Sequence, residues 1–410
     1  MEASGIDAIV TWAPVSVRYL TGYWCWIAPL LKQYMVGPGG GGGPAMRNIA
    51  VLPRGNDPTL VVEMLWALNT VGAGVMDIRV VGDAALRMAD GRRELSAELQ
   101  RVVELITQAD RPRDPFEALV ATLREQGLDG SRIGVELEGA QPADVDELRA
   151  RLPRAELRDC TNLLRVVRAV KTAEEIGRLE RAAEIAEAAA RRALGAARDG
   201  TSTAEVTQQF RELIARDGAD FDHFAFGPSG LGLLNEGVVE LREGDTLYAD
   251  FGVVHDGWFS DSGTTLSIAE PTPAAATEHA AVRDSIAAGA AALGPGRKGS
   301  TVQAAMQDAL AQEGITESFP HGHGLGLEVR DYPLIMPDSG LTIRDDCIDL
   351  ASDLELEEGM VVNLEAPLFT PGLRSVHCEQ TFVITADGCR ALLPQDRSAP
   401  VLAMGSGGAL

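Results

Sequence analysis

Two aspartates and two glutamates stand in the middle of strand-like segments, where negative charge is costly unless something positive meets it. Asp250 and Asp261 lie in DTLYADFGVV and WFSDSGTTLSI, alternating runs separated by His255-Asp256-Gly257, a good hairpin connection. A tight turn centred on Asp256-Gly257 sets Asp261 opposite Gly252, with Asp250 one diagonal away. A turn centred on His255-Asp256 makes the two aspartates face each other. Either register puts both carboxylates on one face, because strand side chains alternate with period two. Downstream, EGMVVNLEAPLF and RSVHCEQTFVIT flank Thr370-Pro371-Gly372, and a loop over Pro371 to Leu373 sets Glu365 opposite Glu379. Like charges so placed repel unless a cation lies between them. With His323 of PHGHGLG they read as a cage for two divalent metal ions, hard oxygen donors joined by one imidazole. Apolar residues flanking all four carboxylates argue against solvated edge-strand charges.

The chain of 410 residues is long enough for two domains, and 45% apolar with 23% charged residues is ordinary globular composition. A net charge of -24 argues against a nucleic-acid or anionic-membrane surface, which needs a basic patch. No apolar run reaches the length of a membrane span, and Met1-Glu2-Ala3-Ser4-Gly5 lacks the basic and apolar regions of a signal peptide, so a cytoplasmic address is expected. The five cysteines are odd in number and lack CxxC spacing, which points to neither a disulfide framework nor a thiolate zinc site. Cys378, beside Glu379, is expected to be a buried, inert thiol.

Residues 1 to about 160 alternate apolar strands (Ala8 to Thr11, Asn48 to Leu52, Thr59 to Val62, Arg132 to Val135) with helical stretches at Arg93 to Gln108 and Pro115 to Gln126. That alternation predicts an α/β domain. The glycine run from Gly37 to Pro44 excludes regular structure and reads as a surface connection or a lid. Near Lys171 the pattern changes. Thr172-Ala173-Glu174-Glu175 is a capping box, followed by Ile176, Leu179, Ala183, Ala186 and Ala190 at helical spacing. Ser202-Thr203-Ala204-Glu205 caps a second helix, and two more are expected at Ala274 to Leu293 and Thr301 to Glu313, the last capped by Ser300 with Gln303. The expected division is therefore 1–165, 166–400 and a tail at 401–410. Helix pair then hairpin occurs twice in the second domain, which points to an internally duplicated α+β unit with metals held between its halves.

RYLTGY (Arg18 to Tyr23), RAVKTAEEI (Arg168 to Ile176), GDTLYADFG, GHGLGLEVRDYP, LEEGMVVNLEAP and HCEQTFVIT together resemble the pita-bread metallohydrolases. This is the family of methionine aminopeptidase, aminopeptidase P, prolidase and creatinase, and the likeness is greatest to its prolidase-like two-domain members. The resemblance implies an α/β creatinase-like N-terminal domain and an α+β pita-bread catalytic domain with pseudo-twofold duplication. It implies two divalent ions, Mn foremost with Fe, Co or Zn as alternatives. Asp250 would bind one ion, Asp261 and Glu379 would bridge, and His323 with Glu365 would complete the second. Such a pair activates a bridging water and polarises a carbonyl, and Glu365 is then placed to shuttle a proton.

The departures from the family pattern bear on substrate. Peptidase members carry a histidine seventeen residues before the first aspartate, one four residues before the histidine ligand and one seven residues after it; here those positions are Leu233, Phe319 and Arg330. The arginine usual two residues before the final glutamate is His377. Leu233 cannot donate a proton, a loss worth about two to four orders of magnitude unless another group substitutes. His321 and His377 are the candidates, with His223 a further one and His279 read as solvated on its helix. Arg330 offers a fixed fork for a substrate carboxylate, or else pairs with a neighbouring acid such as Asp331. Trp24 and Trp26, with Tyr19, Tyr23 and Tyr34, form either a specificity wall contributed across a homodimer or an N-terminal core. The expected activity is metal-dependent amide hydrolysis, as an Xaa-Pro dipeptidase or aminopeptidase acting on a short peptide or other small molecule. A C–N bond hydrolase or lyase on a carboxylate-bearing substrate is the alternative, and the complete ligand set speaks against a non-catalytic scaffold.

Overall fold

The structure, a computed structural model, describes residues 1–25, 47–82, 86, 94–138, 140–235, 237–394 and 399–403. The loop from Gly37 to Pro44, Trp26, Tyr34, Arg93 and residues 404–410 lie outside the described residues. The chain divides into two compact units, Met1–Leu164 with Ile343–Asp349, and Arg165–Thr342 with Leu350–Leu410. The linear division at residue 165 made no place for the segment Ile343–Asp349.

In the first unit, β1 (Ala8–Thr11), β2 (Ile49–Pro53), β3 (Thr59–Glu63), β4 (Asp77–Val81), β5 (Arg132–Val135) and β6 (Glu156–Asp159) form one mixed sheet in the order β4-β3-β2-β1-β5-β6. The central strand β1 is buried along its whole length, which is why it reads as an unbroken apolar run. The sequence reading missed β4 and β6. Both are edge strands, and an edge strand needs little apolar surface to pair. Around the sheet lie α1 (Pro14–Thr21), α2 (Ala97–Ile106), α3 (Pro115–Glu125), α4 (Pro142–Arg151) and, at the end of the unit, α5 (Thr161–Val167). α2 begins later than the apolar spacing predicts, because the Ser96 hydroxyl accepts from the Leu99 amide and caps the helix there. Tyr23 is buried with Val17, Leu60 and Val80, so it belongs to the core of this unit.

The second unit opens with α6 (Ala173–Gly195) and α7 (Thr203–Arg216), each started by the expected capping box. Next come β7 (Asp220–Phe226), β8 (Thr246–His255), β9 (Trp258–Phe259) and β10 (Ser262–Ser267). The second half follows with α8 (Pro273–Ala292), α9 (Gly299–Gln312), β11 (His321–Gly324), β12 (Asp331–Ile335), β13 (Thr342–Arg344), β14 (Asp349–Ala351), β15 (Val361–Thr370), β16 (Arg374–Thr385), β17 (Gly388–Ala391) and β18 (Val401–Leu402). Two helices precede three antiparallel strands in each half: β7-β8-β10 in one sheet and β11-β15-β16 in the other. The duplication is therefore present in the topology. One correction concerns the tail: β18 pairs in parallel with β10, so residues 401–402 continue the sheet.

Both hairpin registers are resolved. Asp256 (φ 53°) and Gly257 (φ 72°) form a two-residue turn with His255 opposite Trp258, the left-handed pair such a turn requires. Of the two alternatives, Asp261 thus stands across from Gly252. In the second hairpin Glu365 pairs directly with Glu379, as the sequence predicts. The start of α9 differs from expectation: the Ser300 amide and hydroxyl both donate to the Asp353 carboxylate, at 2.9 and 2.7 Å. Gln303 Nε2 instead donates to the Pro320 carbonyl at 3.1 Å, tying the helix to the segment that carries His321 and His323. Among the described residues, no helix is long and apolar enough to cross a membrane.

Candidate active site

Asp261 lies just before β10, where its two carboxylate oxygens face different partners. Oδ1 is 3.3 Å from His223 Nε2, and Oδ2 is 3.3 Å from His323 Nε2. His223 Nε2 is also 2.8 Å from Asp250 Oδ1, and His323 Nε2 is 3.6 Å from Glu365 Oε1. One buried carboxylate thus stands between two clusters, with one oxygen turned to each.

The remaining acids come from the second hairpin. His321 lies opposite Glu365 on β11, with Nε2 2.9 Å from Glu365 Oε1 and Nδ1 2.9 Å from the Phe319 carbonyl oxygen. It is therefore both backbone-bonded and engaged with the acid. Glu379 accepts from the Asn363 amide through Oε1, while its Oε2 lies 2.9 Å from His377 Nε2. The His377 ring stacks on Tyr248 at a centroid distance of 4.0 Å, and the Tyr248 hydroxyl donates to Asp250 Oδ2 at 2.8 Å. The His377 backbone is tied to the first half through Thr265 Oγ1, which accepts from its amide and donates to its carbonyl, both at 2.9 Å. His377 has room because its neighbour across the seam is Gly263, where a Cβ would overlap the imidazole and Glu379 Oε2.

The electrostatics follow from burial and crowding. Burial, then the negative charges of Asp261, Asp250 and Glu365, push Glu379 well above the usual carboxylate range. Burial also raises Asp250, with Asp261 adding to it and His223 and Tyr248 opposing. Burial acts the same way on Asp261, yet His223 and His323 hold it below its ordinary value, as His321 does for Glu365. For His223, burial disfavours the charged ring, but Asp222, Asp250 and Asp261 outweigh it and raise the imidazole far above its usual value.

His323 gives the clearest test of whether the site suits a metal. Its Nδ1 faces the Gly324 carbonyl oxygen at 2.9 Å; a carbonyl only accepts, so Nδ1 carries the hydrogen. The other nitrogen, Nε2, is buried and makes no hydrogen bond, although two carboxylates lie beside it. An imidazole held by a backbone carbonyl with its free nitrogen aimed among acids is the arrangement of a metal-binding histidine. The donor set of carboxylates and imidazoles fits divalent ions.

The other predicted residues fall as follows. Arg330 Nη2 reaches to 3.4 Å from Glu365 Oε1, while 61% of the side chain remains exposed. The ion pair found for Asp331 is with Arg168. Leu233 is 55% exposed and Phe319 47% exposed; Leu233 offers no hydrogen-bonding group, and Phe319 stacks on His321 at 5.5 Å. Trp24 lies in the first unit beneath the Arg18 guanidinium, 5.1 Å from its ring centroid. Cys378 is buried. His279 is also buried, with Nδ1 3.0 Å from Thr265 Oγ1, which corrects its reading as a solvated residue. His223 proves to be a central member of the site. Its signal in the sequence was the acidic neighbour Asp222 in a strand ahead of the first acidic hairpin.

Residues 177–386, half of the chain, match the family model for Metallopeptidase family M24, and residues 72–170 match that for the Creatinase/Prolidase N-terminal domain. The chain is 29% identical over 331 residues to an uncharacterized peptidase, YqhT, of Bacillus subtilis, covering 79% of this chain and 89% of the relative. It is 26% identical over 306 residues to an Xaa-Pro dipeptidase of Lactobacillus helveticus, covering 70% and 77% respectively. Among solved structures, an X-Pro aminopeptidase from Thermotoga maritima superposes with a TM-score of 0.71 at 19% identity, covering 98% of this chain and 97% of that one. A prolidase from Pyrococcus furiosus gives 0.67 at 20% identity, covering 97% and 99%, and both likenesses bear on the fold. The chain belongs to metallopeptidase family M24: it is a metal-dependent hydrolase joined to a creatinase/prolidase-type N-terminal domain.

Proposed function

We propose that the chain is a two-metal peptidase that hydrolyses the amide bond of short peptides, Xaa-Pro dipeptides foremost. The observation that carries this reading is the Asp261 carboxylate, with one oxygen at the Asp250–His223 cluster and the other at His323. Asp250 would hold one ion, Asp261 and Glu379 would bridge, and His323 with Glu365 would hold the other, with Mn favoured and Fe, Co or Zn as alternatives. When bound, such a pair lowers the pKa of a captured water and polarises the scissile carbonyl. The Xaa-Pro dipeptidases of Lactobacillus helveticus and Pyrococcus horikoshii, among the relatives, support the choice of substrate.

The chain's own groups supply the rest. Glu365 receives a proton at Oε1, and His321 Nε2, 2.9 Å away, passes it toward the leaving amine in place of the absent histidines. His377 holds Glu379 in position through Oε2. Arg330 lines a surface hollow with Arg165, Glu328, Tyr332 and Leu334, and its exposed fork suits the carboxylate of a two-residue substrate. A homodimer in the cytoplasm completes the reading: Leu65, Leu68 and Met76 stand largely exposed in the first unit, apolar surface that a second copy would cover.

The test is a substrate panel with the chelator-dialysed protein supplemented with Mn. Xaa-Pro dipeptides should release proline faster than Xaa-Pro tripeptides release their first residue. Turnover of carboxylate-bearing C–N compounds with no dipeptide cleaved would replace this reading by the small-molecule one.

A further inference from the structure

Four of the chain's six histidines lie against the site's carboxylates, and the two-metal reading leaves His223 without a task. Successive residues on a regular strand point to opposite faces, yet Asp222 and His223 meet side chain to side chain. The reason is a register irregularity in β7: Phe221 pairs with Val253 and His223 with Gly252, so Asp222 is one residue too many. Such a bulge turns neighbouring side chains to the same side. It brings Asp222 Oδ2 to 2.7 Å from His223 Nδ1.

The strand opposite is shaped for this ring. A Cβ at Gly252 would lie 2.8 Å from His223 Nδ1 and 2.6 Å from the Ser260 carbonyl oxygen, too close for any side chain. A carboxylate can only accept, so Nδ1 carries a hydrogen toward Asp222, and Nε2 is left facing Asp250 Oδ1 at 2.8 Å and Asp261 Oδ1 at 3.3 Å. Donors about 2.0–2.2 Å from a first-row divalent ion lie roughly 2.8–3.5 Å from one another. The imidazole nitrogen already has that spacing from both carboxylate oxygens.

We propose that His223 is a protein ligand of the metal held by Asp250 and Asp261, with its imidazole set by Asp222. A carboxylate behind a histidine fixes the tautomer and orients the ring toward a metal, and the bulge and Gly252 are the local features that allow it here. The inference rests on the two-metal reading and adds to it. It makes both ions imidazole-ligated, one by His223 and the other by His323, which moves the preference of the pair from Mn toward Co, Fe or Zn. The opposing role for the same geometry is an imidazolium that neutralises the two aspartates and takes no part in binding an ion.

The experiment uses the full-length protein freed of metal by chelator and dialysis, then titrated with Co²⁺ by calorimetry and by visible absorption. The wild type should take up two ions. In His223→Ala one of the two steps should weaken more than tenfold and its absorption bands should change, while the other step stays as it was. His223→Phe, which keeps a ring over Gly252 but has no donor, should behave alike, so poor folding of the alanine variant leaves the question answerable. Asp222→Asn, altering the positioning residue alone, should weaken the same step by about tenfold. Two unchanged steps and unchanged bands in both His223 variants would overturn the assignment and leave the two-metal reading standing. A wild type that binds no cobalt would overturn both.

Discussion

Arg330 directs its guanidinium at Glu365, Nη2 to Oε1 at 3.4 Å, while most of the side chain stays in solvent. With the arginine so exposed and the contact so long, the pair adds little to stability, on the order of 0–1 kcal/mol, and its value lies in where it places a fork. Arg330→Ala should raise KM about tenfold or more for peptides with a free carboxyl end, while leaving amidated peptides and the melting temperature nearly unchanged. Equal losses on both kinds of peptide would remove Arg330 from substrate recognition.

Gly263, like Gly252, is a position on the first hairpin where a methyl group has nowhere to go. The groups it would strike, His377 and Glu379, are both buried. Gly263→Ala should cost about 1–3 kcal/mol, the usual range for overpacking, and should lower metal occupancy as Glu379 shifts. Denaturant titration with metal analysis checks both; wild-type values in each would mean that the seam is softer than its packing suggests.

Lys171 is buried beside the Ala169 carbonyl oxygen, 3.1 Å from Nζ. Burial pushes its ammonium down to about 8 from 10.5, against the opposing pull of Asp331 and Glu175. Above the unfolded value both states are deprotonated and the group is neutral to stability. Between the two values the unfolded chain binds a proton that the folded chain does not, so stability falls as pH drops through this window. The cost is fully present below pH 8, at about 3 kcal/mol for a shift of this size. Denaturation at pH 8 and pH 10 should show a larger gain with pH for the wild type than for Lys171→Met. Parallel gains would show that Lys171 stays charged in the fold.

Four acids share one buried region, and burial with mutual repulsion already raises two of them, Glu379 and Asp250. Divalent ions should therefore stabilise the fold. At about a hundred times the dissociation constant a ligand adds about 2.7 kcal/mol per site, so the melting temperature of chelated protein should climb with Mn, Co or Zn and fall back with chelator. A flat response to all three would count against metal binding at this region.

Local rules carried the reading where the deciding contacts were local. The loop over Pro371 to Leu373 fixed the pairing of Glu365 with Glu379, and the two capping boxes marked where α6 and α7 begin. At Asp256-Gly257 two registers were open, and the turn chosen is the one with both central residues at positive φ, which Asp and Gly tolerate. Distant partners decided the rest. Ser300 turned to Asp353 rather than to its own helix. His279 is buried against Thr265, and because α8 is rich in alanine periodicity could not tell its inner face from its outer one. His223 was named only as a further candidate proton donor, and its place beside Asp250 and Asp261 was not legible because its direction depends on a bulge, which no spacing rule reveals.

The divided carboxylate of Asp261 has a consequence for how this enzyme can be taken apart. Asp261 comes from the first half of the duplicated unit and His323 from the second, and the seam is sewn by Thr265 with His377 and by the Thr381 hydroxyl with the Asp261 carbonyl. Neither half contains the whole cluster of acids and histidines. A fragment carrying one of them would keep a hairpin and an acidic pair, but the ion nearest its edge would lack the ligand supplied from the other side. The repeated topology therefore holds one cluster that belongs to the pairing of the halves, so that a change at Asp261 would be felt on both sides of the seam.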